Sequence, residues 1–585
     1  MKRILVLAAI FFRTEFSLPA QNNKEIIHPF PTQFEKDPDY TPTYPEIIDF
    51  YTQLDKSFRH LKMRTRGLTD SGFPLHEIII SAHGFDPVKI RKKNLPVLLI
   101  NNGIHPGEPC GIDASMLFAR DLLTKPEAKK WLDSMVIVII PVYNIGGTLN
   151  RSSTSRANQV GPKEYGFRGN AKNYDLNRDF IKADAANTWS FQEIFHDWDP
   201  DIFIDTHTSN GADYQYVMTL IASQNDKLGP VGQLYQEKEL LPALYTGMAA
   251  KGWDMTPYVH TISRGIPDYG IKAFLDSPRY SSGYAALHHT WSFMPEAHML
   301  KPYHQRVYST LAFLETMAGF IQNNGHTLTE TRKAWRAESR IQTWFPLSFA
   351  LDSTRLDSFD FKGYQAEHKP SEVTGQSRLW YNRDKPFTKK IKYYPHYHPV
   401  ISVIKPEAYI IPQGYSEIIR RLEQNKVIVT RLPQDVRKKV TLYRITNLKT
   451  GKDPYEGHYL HHDAEVSPFE TEKLYRAGDY LISTDQDAVR FIIETLEPQA
   501  PDSYFAWNFF DAVLQQKEYF SPYVFEDTAA RLLKDNPALR QKFDEKKAAD
   551  TTFASDAYAQ LLFIYQNSSY YEPTHKVYPV ARLEK

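Results

Sequence analysis

The spacing of apolar positions changes period along the chain. In PEIIDFYTQLDKSFRHLK (residues 45–62), Ile47, Phe50 or Tyr51, Leu54, Phe58 and Leu61 recur at helical spacing. Short apolar runs follow: LHEIIIS, LPVLLINN, MVIVIIPVYN and DIFIDTH, with the helical pattern CGIDASMLFARDLL between the second and third. Continuous Ile/Val runs separated by helices predict strands buried on both faces. The expected fold is therefore α/β, a mixed and largely parallel sheet flanked by helices. Ligands in such sheets gather beyond the carboxyl ends of strands, and His105 and His207 each come just after one.

The pattern changes near residue 325, where NNGHTLTETRKAWR leads into Asp-, Lys- and Tyr-rich segments. AYIIPQGYSEIIRRLEQNKVIVTRL reads as strand, helix, strand, and VTLYRIT and DYLIST add strands. The expectation is a catalytic-type domain over 21–330, a small α+β domain over 331–497 and a helical region over 498–585, which ends in the strand-like KVYPVARLEK. The first residues, MKRILVLAAIFF followed by SLPAQ, combine a basic start, an apolar run and a cleavage pattern after Ala20. Residues 1–20 thus read as a signal peptide, and the protein as exported to a periplasmic or extracellular space. No later run has the length of a membrane helix.

A length of 585 residues is enough for two to four domains. With 70 Lys+Arg against 69 Asp+Glu the net charge is +1, which gives no footing for nucleic acid or an anionic membrane. Cys110 is the single cysteine, so no intrachain disulfide forms; it reads as a small buried hydrophobe.

The chemistry starts in NNGIHPGEPC (101–110), where His105 and Glu108 stand three apart among Gly103, Pro106, Gly107 and Pro109. Alone, this is either an ordinary strand-to-helix loop or a pair of ligands aimed at one divalent metal. A strand-ending His207 is, alone, a packed residue. The segment NYDLNRDF between them changes that reading. HPGE, DLNRDF, DTH and the Glu of WSFMPEAH resemble, in type and order, the funnelin zinc carboxypeptidases, the carboxypeptidase A-like family, over roughly residues 45–325.

The resemblance implies roles for individual residues. His105, Glu108 and His207 would hold one Zn2+ per chain, leaving a fourth position for water. Asp175 would accept a hydrogen bond from a ligand imidazole. Asn177 and Arg178 would clamp the C-terminal carboxylate of a peptide, since a planar guanidinium forks onto a carboxylate. Glu296 would be the general base that takes a proton from water and passes it to the leaving amine. For the arginine facing the developing oxyanion, Arg156 is preferred over Arg168 and Arg151. For the mobile tyrosine preceding the base, Tyr280 is preferred over Tyr284. Ala297 and His298 follow the Glu where the commonest family form has other residues. His298, His288 and His289 read as structural, and the histidines of PHYHP and EGHYLHHD as surface residues. Asp268 and Asp276 fall where pocket residues lie, which allows a preference for basic termini.

The expected activity is that of an exported zinc metallocarboxypeptidase acting on peptides with a free C-terminal carboxylate. Two enzyme alternatives stand beside it: an amide deacylase of N-acyl amino acids, which shares the turn and the Asn-Arg pair, and a cell-wall peptide amidase of the same superfamily. The alternative from another class is a catalytically inactive peptide-binding protein.

Overall fold

The computed structural model describes residues 29–584, so the segment read as a signal peptide lies outside the described residues. A nine-stranded sheet forms the centre. Its strands are β1 (Leu61–Leu68), β2 (Pro74–Ile80), β3 (Val97–Asn101), β4 (Val136–Ile140), β5 (Ile202–Asp205), β6 (His207–Ser209), β7 (Met218–Ala222), β8 (Met255–Pro257) and, after the short β9 (His260–Thr261) and β10 (Ile271–Lys272) of another sheet, β11 (Trp291–His298). The order is β1-β2-β4-β3-β5-β11-β7-β8, with β6 pairing β11. The run β4-β3-β5-β11 is parallel, while β1, β2 and β7 join antiparallel.

Successive side chains on a strand point to opposite faces, and here both faces are buried. Leu98, Ile100, Ile137, Ile139, Ile202 and Ile204 enter one core with the helices Tyr44–Ser57 and Cys110–Thr124. Leu99, Val136, Val138, Ile140 and Phe203 enter the other with the helix Ala186–Trp198. A strand apolar at every position therefore reads as a continuous Ile/Val run.

The composition break near 325–331 falls inside a 39-residue helix, Tyr303–Ile341. Beyond it, the long hairpin Asp357–Pro370/Ser377–Tyr394 pairs with β10. A six-stranded sheet runs from Ala408 to the last strand, Ala581–Leu583, which pairs with Ala408–Ile411 and Val436–Thr450. The helices from Pro522 to Gln566 gather around their own small core. Phe345, Tyr409, Ile492 and Trp507 of this second half are in the same buried cluster as Leu99 and Phe203 of the central sheet, so the two halves share a core. Among the described residues no helix is long and apolar enough to cross a membrane.

The parallel neighbours β3, β5 and β11 bring their C-terminal ends together, and bonds between buried side chains lock the crossing. Asn101 Nδ2 donates to Asp205 Oδ1 (3.0 Å), and Thr206 and Ser115 hydroxyls donate to Asn102 Oδ1 at 2.9 and 3.1 Å. Gly111, in the first turn of the helix Cys110–Thr124, approaches Thr206 so closely that a Cβ there would overlap its side chain. Replacing Gly111 by Ala is expected to destabilise the protein by about 1–3 kcal/mol through overpacking, despite the better helix propensity of Ala. A denaturant titration giving an unchanged or raised midpoint would contradict this close approach.

Candidate active site

The turn after β3 supplies His105 and Glu108, β6 begins with His207, and β11 carries Glu296. In the parallel pairing of β11 with β6, Glu296 is the register partner of His207. The pleat therefore fixes this carboxylate beside this imidazole regardless of loop conformation.

His105, Glu108 and His207 form the group whose ligand atoms all lie within 4.8 Å of one another, and all three are buried. The two rings sit 5.1 Å apart. Each turns Nε2 to an aspartate: His105 to Asp175 Oδ1 at 2.9 Å and His207 to Asp205 Oδ2 at 3.0 Å. Each turns Nδ1 to Glu108, at 3.3 Å from Oε1 and Oε2 respectively. With Nε2–H donating to an aspartate in the neutral ring, Nδ1 is an acceptor facing a carboxylate, and the buried His105 Nδ1 has no hydrogen-bond donor. Three lone-pair-bearing groups converging on one point fit a cation such as zinc, whose ligand imidazoles take an aspartate behind them.

Burial alone would raise the Glu108 carboxyl, but Arg156 and His105 beside it hold it well below the usual range. Arg156 Nη1 donates to Glu108 Oε1 at 2.7 Å, and the Thr208 amide donates to Oε2 at 2.7 Å. Burial likewise works against ionised Asp175, while His105, Arg168 and Arg178 hold that carboxylate ionised. For Glu296 burial wins: its carboxyl is pushed up to about 7, with Glu108 pushing the same way and His207 opposing. Burial disfavours charge on His207, but Asp205 and Glu108 raise it well above its ordinary value.

Asp175 caps the single helical turn Leu176–Arg178, accepting from the Asn177 amide at 2.9 Å, which aims Asn177 and Arg178 into the cleft. The Asn177 side-chain oxygen accepts from the Ser281 amide at 2.9 Å. Arg178 lies over the Tyr280 ring, 4.5 Å from its centre. The resulting cleft, about 190 Å³, is lined by His105, Glu108, His207, Glu296, Asn177, Arg178, Arg156, Arg168 and Tyr280, while Asp175 stands behind His105.

Other expectations differ. Tyr280 faces Arg178, and Tyr258, on which no motif draws attention, lines the same cleft; burial, with the charges of Glu296 and Glu108, raises its hydroxyl. Tyr284 is fully buried, its hydroxyl bonded to Asn425. Arg168 shares the site with Arg156: its Nη2 contacts Asp175 Oδ2 at 2.8 Å and its Nη1 lies 3.6 Å from Glu108. Asp205 stands behind His207, and its only mark in the sequence is its place two before the histidine in DTH. Asp276 is buried against Lys227 and Asp268 pairs with Lys389, so neither offers a charge to the cleft. His458 and His461 are not surface residues: one bonds Asp184 at 2.7 Å and the other is 4% exposed.

The chain is similar to Carboxypeptidase 2 of Trichophyton rubrum, 23% identical over 495 residues that cover 79% of this chain and 83% of that protein. It matches Carboxypeptidase 2 of Trichophyton tonsurans at 22% over 69% of this chain and 72% of that one. Among solved structures, carboxypeptidase A from Helicoverpa armigera superposes on 49% of this chain and 74% of its own with a TM-score of 0.36 and 15% identity. The family profile described as zinc carboxypeptidase matches residues 47–227, the segment holding His105, Glu108, Asp175, Asn177, Arg178 and His207. Residues 47–227 are thus a zinc carboxypeptidase domain.

Proposed function

We propose that the protein is a zinc-dependent metallocarboxypeptidase that removes single C-terminal residues from peptides. The observation that carries this reading is one cleft holding the His105–Glu108–His207 convergence, Glu296 in register with His207, and the Asn177–Arg178 pair. When bound by His105, Glu108 and His207, zinc supplies Lewis acidity at the scissile carbonyl. Glu296, buried in register with His207, takes the proton of the attacking water and hands it to the leaving amine. Arg178 forks onto the terminal carboxylate and Asn177 donates to it, so an internal peptide bond, which lacks that anion, is held poorly. Tyr280 backs the guanidinium with its ring face.

Arg156 is assigned to the developing oxyanion, and Arg168, 44% exposed, is its rival. Ile221, Phe274 and Met294 make an apolar side to the cleft, which favours an apolar C-terminal side chain. Export rests on the pattern of residues 1–20.

Peptides with free and amidated C-termini, followed by mass spectrometry, are expected to lose single residues only from the free acids. Leu or Phe termini should go faster than Lys or Arg, and a chelator should stop the reaction. Cleavage of N-acyl amino acids without any peptide cleavage would replace this reading with the deacylase. Glu296→Gln should lower kcat by about 10²–10⁴-fold with little change in KM; undiminished turnover would remove Glu296 from the role. Of Arg156→Ala and Arg168→Ala, the variant that loses about 10²–10³-fold in kcat with zinc still bound identifies the oxyanion arginine. Asp175→Asn should weaken zinc about 10- to 100-fold, read by competition with a chromogenic chelator; an unchanged affinity would contradict its place behind His105.

A further inference from the structure

The strands Val436–Thr450 and His461–Tyr475 of the second half are joined by residues 451–460, whose tip is a tight turn with Tyr455 bridged to His458. Glu456 and Gly457 at the turn centre both have left-handed backbone, φ +52° and +84°. A Glu in that conformation is disfavoured and persists only where surrounding contacts hold it. Those contacts are with the catalytic segment 174–184. Tyr455 Oη accepts from Arg178 Nε at 3.0 Å, Glu456 Oε2 accepts from the Asp175 amide at 2.8 Å, and His458 Nε2 lies 2.7 Å from Asp184. A Cβ on Gly457 would press on the Tyr174 ring at 3.0 Å, so the close approach itself requires glycine. The Tyr455 ring stacks on Trp507 at an 18° interplanar angle, and Arg279, tied to Asp502, flanks it.

On the carboxypeptidase reading, on which this rests, Arg178 is the group that measures the chain end, and a guanidinium on a flexible stem needs fixing to do so. Its Nη1 donates to Asn177 O at 2.9 Å, its face rests on Tyr280, and its Nε is held only from the second half of the chain. We infer that the turn Tyr455–His458 completes the carboxylate clamp, with Tyr455 a positioning residue that sets the orientation of Arg178 and thereby the preference for a free C-terminus. The catalytic segment thus borrows part of its specificity from a turn nearly three hundred residues away in sequence.

The test uses the full-length, zinc-loaded protein in the Glu296→Gln background, where binding is measured without turnover. Calorimetry gives the dissociation constants of one peptide as the free acid and as its amide, with and without Tyr455→Phe, which removes the hydroxyl and keeps the ring on Trp507. The expected result is a loss of about tenfold in affinity for the free acid and none for the amide. A purely structural role would weaken both ligands equally or leave both unchanged, and either outcome overturns the inference. The same substitution made together with Arg178→Lys should add no further loss, because Tyr455 acts through the guanidinium; an additive loss also overturns it. Absence of any free-acid preference with Tyr455 intact would sink the terminal-carboxylate reading itself. A preference present and untouched by Tyr455→Phe would sink the role of the turn alone.

Discussion

The site depends on a buried carboxylate, Glu108, pressed between the Nδ1 atoms of two imidazoles. Such an arrangement is unfavourable until positive charge enters it. Arg156 provides part of that charge permanently, and a divalent ion provides the rest. Around Glu108 stand the carboxylates of Asp175, Asp205 and Glu296 and the guanidiniums of Arg156, Arg168 and Arg178, with Arg156 on Glu108, Arg168 and Arg178 on Asp175, and Asp205 on His207. Four acids are met by three guanidiniums and, without metal, by a proton that Asp205 and Glu108 hold on His207; a divalent cation in place of that proton makes the fully ionised site positive. The metal therefore also supplies net positive charge to the field that an anionic chain end meets.

That balance also explains why the site is built on strand ends. β3, β5 and β11 are adjacent and parallel, so their termini cannot drift apart without breaking the sheet. The His207–Glu296 pairing is a backbone register, and loop motion leaves it intact. The clamp is different in kind: it rests on the one-turn helix Leu176–Arg178, and its support comes from Ser281 on one side and from the Tyr455 turn on the other.

The sheet was legible because its central strands are buried on both faces, which leaves an unmistakable Ile/Val run in LPVLLI and MVIVII. The ligands were legible because HPGE, DLNRDF and DTH each sit at the end of such a run. Tyr258 and Tyr455 were opaque for opposite reasons. Tyr258 follows a three-residue strand with no motif around it, and Tyr455 reaches the cleft only through tertiary packing of a distant turn. Of the histidines in EGHYLHHD, His462 is exposed as its setting suggests, whereas His458 and His461 are not, which the local sequence hides because their acidic partners, Asp184 and Asp511, are far off in sequence. Asp276 looked available for a basic terminus because nothing local announced its pairing with Lys227.

The buried cluster shared by Phe203 of the central sheet and Trp507 of the second half, together with the unbroken helix Tyr303–Ile341, leaves no soft joint between the two halves. Parting the two halves would expose that cluster to water, which couples the central sheet to the elements that carry Tyr409, Ile492 and Trp507. The second half cannot be traded for another module, as a tethered domain can, without stripping one face of the central sheet.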